Sequence, residues 1–100
     1  MNHRKYTIDG VGSKLDGFLR ALIERSGFEL SFQISEGEAP HPDFENPDLT
    51  VKFRGSDLDL LLGNRAELLL SIEQVCLEVL RVPSEDHSRI AFDANDYRML

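Results

Sequence analysis

The chain has one cysteine, no tryptophan and no long apolar run. The single thiol, Cys76, excludes an internal disulfide and a Cys-x-x-Cys metal site, and it fits a reducing compartment. The longest apolar runs, Leu60 to Leu62 and Leu68 to Leu70, are far shorter than the roughly 20 residues that a membrane helix needs. The N-terminus also has no apolar core of signal-peptide length. We therefore expect a cytoplasmic protein.

Basic residues are few: Lys and Arg number 11 against 18 Asp and Glu, a net charge of -7. This balance disfavours unaided, non-specific binding to duplex DNA or to an anionic membrane. Residues 36–48 hold five of the acids, three of the four prolines and no Lys or Arg. We interpret this segment as an acidic loop inside one domain of residues 13–98, preceded by an N-terminal extension, residues 1–12.

The first half of the domain predicts a helix and two strands. Ser13 is the expected N-cap of a helix with one apolar face, and Gly27 is expected to end it. Apolar and polar residues then alternate over residues 28–35 and again over 49–54, which is typical of half-buried strands. We predict that the two strands pair as an antiparallel hairpin.

The second half predicts a short helix capped by Ser56 and ending at Gly63, a tight turn, and a long helix over about residues 65–82. A third short strand is expected at Ile90 and Phe92. Helices and strands with one apolar face each pack economically as two layers. We predict an α+β fold of order αββααβ, with a three-stranded antiparallel sheet, helices on one face and a solvated second face.

The turn between the two helices is an expected anion site, because backbone N–H groups and a helix N-terminus meet there. The stretch Leu61-Leu62-Gly63-Asn64-Arg65-Ala66-Glu67-Leu68-Leu69 resembles the Leu-Ile-Gly-x-x-Gly-x-x-Leu stretch of the Jag (SpoIIIJ-associated) family of bacterial RNA-binding proteins. The tail Asp93-Ala94-Asn95-Asp96-Tyr97-Arg98 is similar to the Asp-x-x-x-Tyr-Arg segment of that family. Together with the order of elements, the chain resembles their type II K-homology (KH) domain over about residues 13–98.

The resemblance implies a two-layer KH type II fold that binds single-stranded RNA through the Gly-x-x-Gly-like loop. Ala66 stands at the second glycine of that loop. With this difference and the acidic charge, an alternative is a degenerate KH fold that binds a protein partner without RNA affinity. Carried over by position, the nucleic-acid-binding residues are Leu62, Gly63, Asn64, Arg65, Ala66, His87 and Arg89.

The remaining reactive side chains predict neither a catalytic site nor a metal site. Cys76 lies on the apolar stripe of the long helix, which predicts a buried thiol. His3, His41 and His87 are isolated and lack the four-residue spacing of a helical metal site, so we predict no metal and no cofactor. No nucleophile lies beside a base, and we expect that the protein is not an enzyme. The acidic loop lacks the ligand periodicity of a calcium site. Tyr97 is expected to pack over the sheet edge, which is the commoner use of such a residue, and the alternative is that it stacks on a base.

Overall fold

The structure is a computed structural model that describes residues 5–36 and 47–94, apart from the side chain of Asn64. The fold is α+β, as predicted: helices pack on one face of a three-stranded sheet. A π-helical turn precedes the first helix and a 3₁₀ turn precedes the last strand. The regular elements are α1 (Ser13–Ser26), β1 (Ser31–Glu36), β2 (Leu49–Arg54), α2 (Leu58–Val79) and β3 (Ile90–Ala94).

The first helical segment begins earlier than predicted. Ser13 is not the N-cap, because its backbone is already helical and the π-helical turn Ile8–Gly12 leads directly into α1. Thr7 takes the capping position, and its hydroxyl oxygen accepts a hydrogen bond from the Gly10 N–H at 3.2 Å. The predicted end is confirmed: Gly27 closes α1 in the left-handed conformation, with φ of 75°.

The predicted hairpin is confirmed. Strands β1 and β2 pair antiparallel, and β2 spans Leu49–Arg54 as the alternation indicated. Phe32 lies opposite Phe53, with ring centroids 6.4 Å apart. Phe92 pairs with Val51, two residues from Phe53 on β2, so all three phenylalanines lie on the face covered by the helices.

The predicted antiparallel pairing of the third strand is wrong, since β3 runs parallel to β2 with Leu49 beside Ile90. The reason lies in the connection. Two helices folded back by a tight turn would return the chain to the end of the sheet that it had left. The structure instead has one helical element, α2, which carries the chain along the sheet to the end where β2 began. A parallel partner strand follows from that crossover.

The prediction that the second sheet face is solvated is wrong for part of that face. Thr50, Ala91 and Asp93 belong to that face by register and are all buried, with Thr50 fully inaccessible. Lys52 on the same face is half-buried and Arg54 is exposed. Alternation assigns a side chain to one face of a strand but does not determine what else packs there, so the sequence pattern missed this burial.

The turn after β2 is tied to the turn after α1 at Glu29. A Cβ added to Gly55 would lie 2.2 Å from the Glu29 carbonyl oxygen, and φ at Gly55 is 135°, so only glycine fits. The prediction that Ser56 is the N-cap of α2 is wrong. Asp57 takes that position and makes no capping hydrogen bond. Its carboxylate accepts instead from the Glu29 N–H at 2.7 Å. This contact fixes where α2 begins.

Candidate nucleic-acid interface

Two consecutive residues in the first half of α2 have a left-handed backbone conformation. Arg65 and Ala66 have φ values of 60° and 62°, although the surrounding residues 58–79 are helical. A left-handed residue other than glycine costs about 1–2 kcal/mol, and here two are consecutive. The predicted tight turn between two helices is thus replaced by a two-residue left-handed break inside one element. It falls on the Gly-x-x-Gly-like stretch.

The five neighbouring residues predicted to bind nucleic acid differ in exposure. Gly63 is exposed, and a Cβ built on it would meet nothing within 4 Å, so a ligand can approach its backbone closely. Arg65 is exposed and has no hydrogen-bond or ion-pair partner among the described residues. Leu62 is half-buried, and Ala66 is fully buried in the core. For Asn64 the structure describes the backbone alone.

A shallow depression of about 390 Å³ lies beside Gly63. Its apolar part comes from Leu60, which is 54% exposed, and from Leu68. Asp59 and Glu67 supply its charges, and both are acidic. Arg65 is the nearest basic residue along the chain. The depression next to the left-handed break is therefore apolar and acidic, and its lining contains no basic residue among those described.

The other two predicted residues lie toward the opposite end of the sheet. His87 and Arg89 come just before β3, whereas α2 begins just after β2, and the two strands are parallel. Six strand residues separate these ends by about 20 Å. Within the described part of the chain, no hydrogen bond or ion pair links residues 87–89 to residues 62–66. That the two sets of residues form one groove stays a prediction.

Arg89 is held by two buried carboxylates. Its guanidinium lies 3.3 Å from Asp86 Oδ1 and 3.5 Å from Asp48 Oδ2. His87 Nε2 lies 3.2 Å from the Val82 carbonyl oxygen, a contact that needs the proton on Nε2. The charge of Arg89 is therefore already balanced, and Arg65 is the more available cation.

The same carboxylates hold the N-terminal segment. Asp86 accepts hydrogen bonds from the Lys5 ammonium at 2.6 Å and the Tyr6 hydroxyl at 2.8 Å. Asp48 accepts hydrogen bonds from the backbone N–H groups of Lys5 and Tyr6. Lys5 and Tyr6 hold the pKa of Asp86 below its usual value, against the effect of burial. Burial, with the hydrogen bond to Asp86, raises the pKa of Tyr6 to about 12. No sequence pattern indicates this polar cluster, because residues 5, 48 and 86 are far apart in the chain.

Cys76 is a free, buried thiol, as predicted. Burial, reinforced by Glu73, raises the pKa of this thiol to about 12. Within residues 5–36 and 47–94, no group of three His, Cys, Asp or Glu side chains is arranged to hold a metal ion. In the same ranges, no helix has both the length and the apolar character to cross a membrane.

Some predictions concern residues outside the described ranges. They include the acidic loop beyond Glu36 and before Pro47, His3, His41, and Tyr97 with the rest of the tail after Ala94. Comparison with known proteins gives no further assignment: no protein-family model and no curated protein matches this chain.

Proposed function

We propose that the protein is a small single-stranded RNA-binding protein of the KH type II kind, similar to the Jag family, that acts in the bacterial cytoplasm without enzymatic activity. The left-handed pair Arg65 and Ala66 is the observation that carries this proposal. Strained backbone that persists in a fold is concentrated at functional positions. Here it coincides with the stretch that resembles a phosphate-binding loop.

The geometry of the break suits a phosphate group. A helical residue followed by a left-handed one turns successive N–H groups toward the same side, which forms a concave anion site. Residues 64 and 65 have this arrangement. Gly63 leaves room for a phosphate against the backbone, and Arg65, which has no ion-pair partner in the part of the chain that the structure describes, supplies charge. The half-buried Leu62 offers apolar contact to a base.

The proposal is tested by charge reversal at Arg65. We expect Arg65→Asp to weaken binding to short unpaired RNA at least tenfold, measured by fluorescence anisotropy. Arg81 provides a matched control, because it is also an exposed arginine with positive φ, 57°, at the far end of α2. Arg81→Asp makes the same change in net charge and should alter affinity less than threefold. Equal losses in the two variants would show that only net charge matters.

Salt dependence gives a second measure. With one or two phosphates neutralised, the slope of log K against log salt should lie at about -0.7 to -1.4. Arg65→Asp should bring the slope close to zero. A slope on the order of -4 would contradict this site and indicate a larger basic surface.

A second candidate function is binding of a protein partner. The acidic side chains Asp59 and Glu67 beside the exposed Leu60 favour it, because an apolar patch with acidic borders fits a basic amphipathic segment. NMR titration of labelled protein with short random RNA separates the two functions. Shifts grouped at residues 62–68 support RNA binding, whereas a spectrum that does not change up to millimolar RNA supports the protein partner.

A further inference from the structure

We propose that the outer side of α2 binds a basic amphipathic helix of a partner protein. The surface is an apolar stripe along α2 that consists of Leu68, Ile72, Val75 and Val79. Their spacing of four, three and four residues places them on one side of the helix, and one helix packs along another through the same spacing. The proposal rests on the second candidate function, for which it names the surface and the partner, and not on RNA binding.

The apolar stripe is exposed toward the C-terminal end of α2. Val75 is 45% exposed and Val79 is 52% exposed, whereas Leu68 is half-buried and Ile72 is buried. Exposed valines do not serve the helix itself, because β-branched residues form helices less well than alanine, glutamate or lysine. Two of them one turn apart therefore indicate a contact surface.

The apolar stripe continues into the depression beside Gly63. Leu68 lines this depression together with the exposed Leu60. Residues 67–79 are the right-handed part of α2 after the left-handed pair, and 13 residues of helix span about 20 Å. A partner helix of this length can lie along the apolar stripe and place one apolar side chain in the depression.

A polar stripe with acidic ends runs beside the apolar stripe. It has the same spacing, all its members are exposed, and it consists of Glu67, Ser71, Gln74 and Glu78. Its two carboxylates are 11 residues apart, about 16 Å along the helix. Two basic residues at the same separation on a partner helix would meet both of them. A second copy of α2 would instead bring like charges together in a chain of net charge -7, so the charges favour a basic partner.

The test uses a synthetic peptide of about 14 residues, long enough to span the apolar stripe. It has leucines at heptad spacing, two lysines 11 positions apart and alanine elsewhere. We expect a Kd below about 0.5 mM in an NMR titration of labelled protein, with shifts grouped at residues 67–79. The double variant Val75→Ser with Val79→Ser should bind the peptide at least tenfold more weakly. Leu70→Ser is the matched control, because Leu70 is 46% exposed on the other side of α2, and it should change affinity less than twofold.

Charge reversal tests the polar stripe. Glu78→Lys should weaken binding of the lysine peptide at least threefold, and it should tighten binding of the same peptide with glutamate in place of both lysines. Glu24→Lys is the matched control, because Glu24 is exposed on α1 and the change in net charge is the same. It should change either affinity less than twofold. Circular dichroism checks that all variants fold.

Three results would overturn the proposal. The first is an equal loss of peptide affinity in Leu70→Ser and in the double serine variant. The second is a dimer of the unmodified chain in sedimentation velocity that dissociates in the double serine variant, which would assign the apolar stripe to a second copy. The third is a loss in Leu60→Ser without a loss in the double variant, which would confine the partner to the depression and leave the second candidate function standing. Arg65→Asp should not weaken peptide binding, so failure of the RNA site is a separate result.

Discussion

The C-terminal end of α2 allows a stability prediction with opposite signs at two matched positions. Arg81 has φ of 57°. The Val82 N–H donates to the Leu77 carbonyl at 2.9 Å and the Arg81 N–H donates to the Glu78 carbonyl at 3.0 Å. These two bonds form a Schellman motif, whose left-handed position is usually glycine. In α1 the left-handed residue is Gly27, with φ of 75°. One helix thus ends on the preferred residue and the other on an unfavourable one.

We expect Arg81→Gly to raise the free energy of unfolding by about 0.5–1 kcal/mol. Relief of the left-handed conformation contributes about 1–2 kcal/mol, and the greater freedom of glycine in the unfolded chain offsets about 0.5–1 kcal/mol. The side chain is exposed, so little packing is lost. Arg81→Ala keeps the unfavourable φ and should stay within about 0.5 kcal/mol of the unmodified protein.

The reverse substitution, Gly27→Ala, should lower the free energy of unfolding by about 1 kcal/mol, because an added Cβ meets no atom within 4 Å and only the conformation is unfavourable. Urea denaturation with an unchanged m-value measures these changes, and thermal melts should move by about 4–8 °C per kcal/mol. If Arg81→Gly and Arg81→Ala change stability equally, strain at the left-handed position is not the cause.

Other predictions follow from single contacts. Phe53→Ala should cost roughly 3–5 kcal/mol in urea denaturation, because the ring is only 2% exposed, and a loss below about 1 kcal/mol would contradict its place in the core. Ala66→Gly should tighten RNA binding in anisotropy assays. The free energy of unfolding of this variant should stay within about 1 kcal/mol of the unmodified protein, because relief of positive φ offsets the lost buried methyl group and the greater freedom of the unfolded chain. Stability should fall as pH rises from 10.0 to about 12, since unfolded Tyr6 loses its proton in this range before the folded form does; Tyr6→Phe should remove this part of the pH profile. Cys76 should react with a thiol reagent at pH 8 only as the protein unfolds in urea, and rapid labelling of the native protein would contradict its burial.

Local patterns predicted the elements well but not their direction. Alternation gave the bounds of β2, and Gly27 gave the end of α1, because each depends on neighbouring residues alone. The direction of β3 depends on where the chain returns to the sheet after α2, and no pattern of neighbouring residues records that position. Helix propensity places alanine in a right-handed helix, so the residue type gave no sign of the left-handed break.

Contacts between distant residues of the candidate site were also beyond the reach of sequence patterns, and the binding role of residues 62–66 stays a prediction. Residues 62–66 were located through a stretch of consecutive residues, and the structure places an unusual backbone there. The pairing of Arg89 with Asp48 and Asp86 joins distant parts of the chain and has no periodicity. Sequence patterns identified Arg89 as basic, but they could not show that its charge is balanced.

The parallel pairing of β2 and β3 also affects the order in which the chain folds. Glu36 and Leu49, the nearest pair of the hairpin, are 13 residues apart, whereas Leu49 and Ile90 are 41 apart. Closing the longer loop costs about 1 kcal/mol more in chain entropy. We expect the hairpin and its contacts with α1 to be formed in the folding transition state, and β3 to dock afterwards. Substitutions that weaken the pairing of β2 with β1 should then slow folding. Substitutions in β3 should mainly speed unfolding.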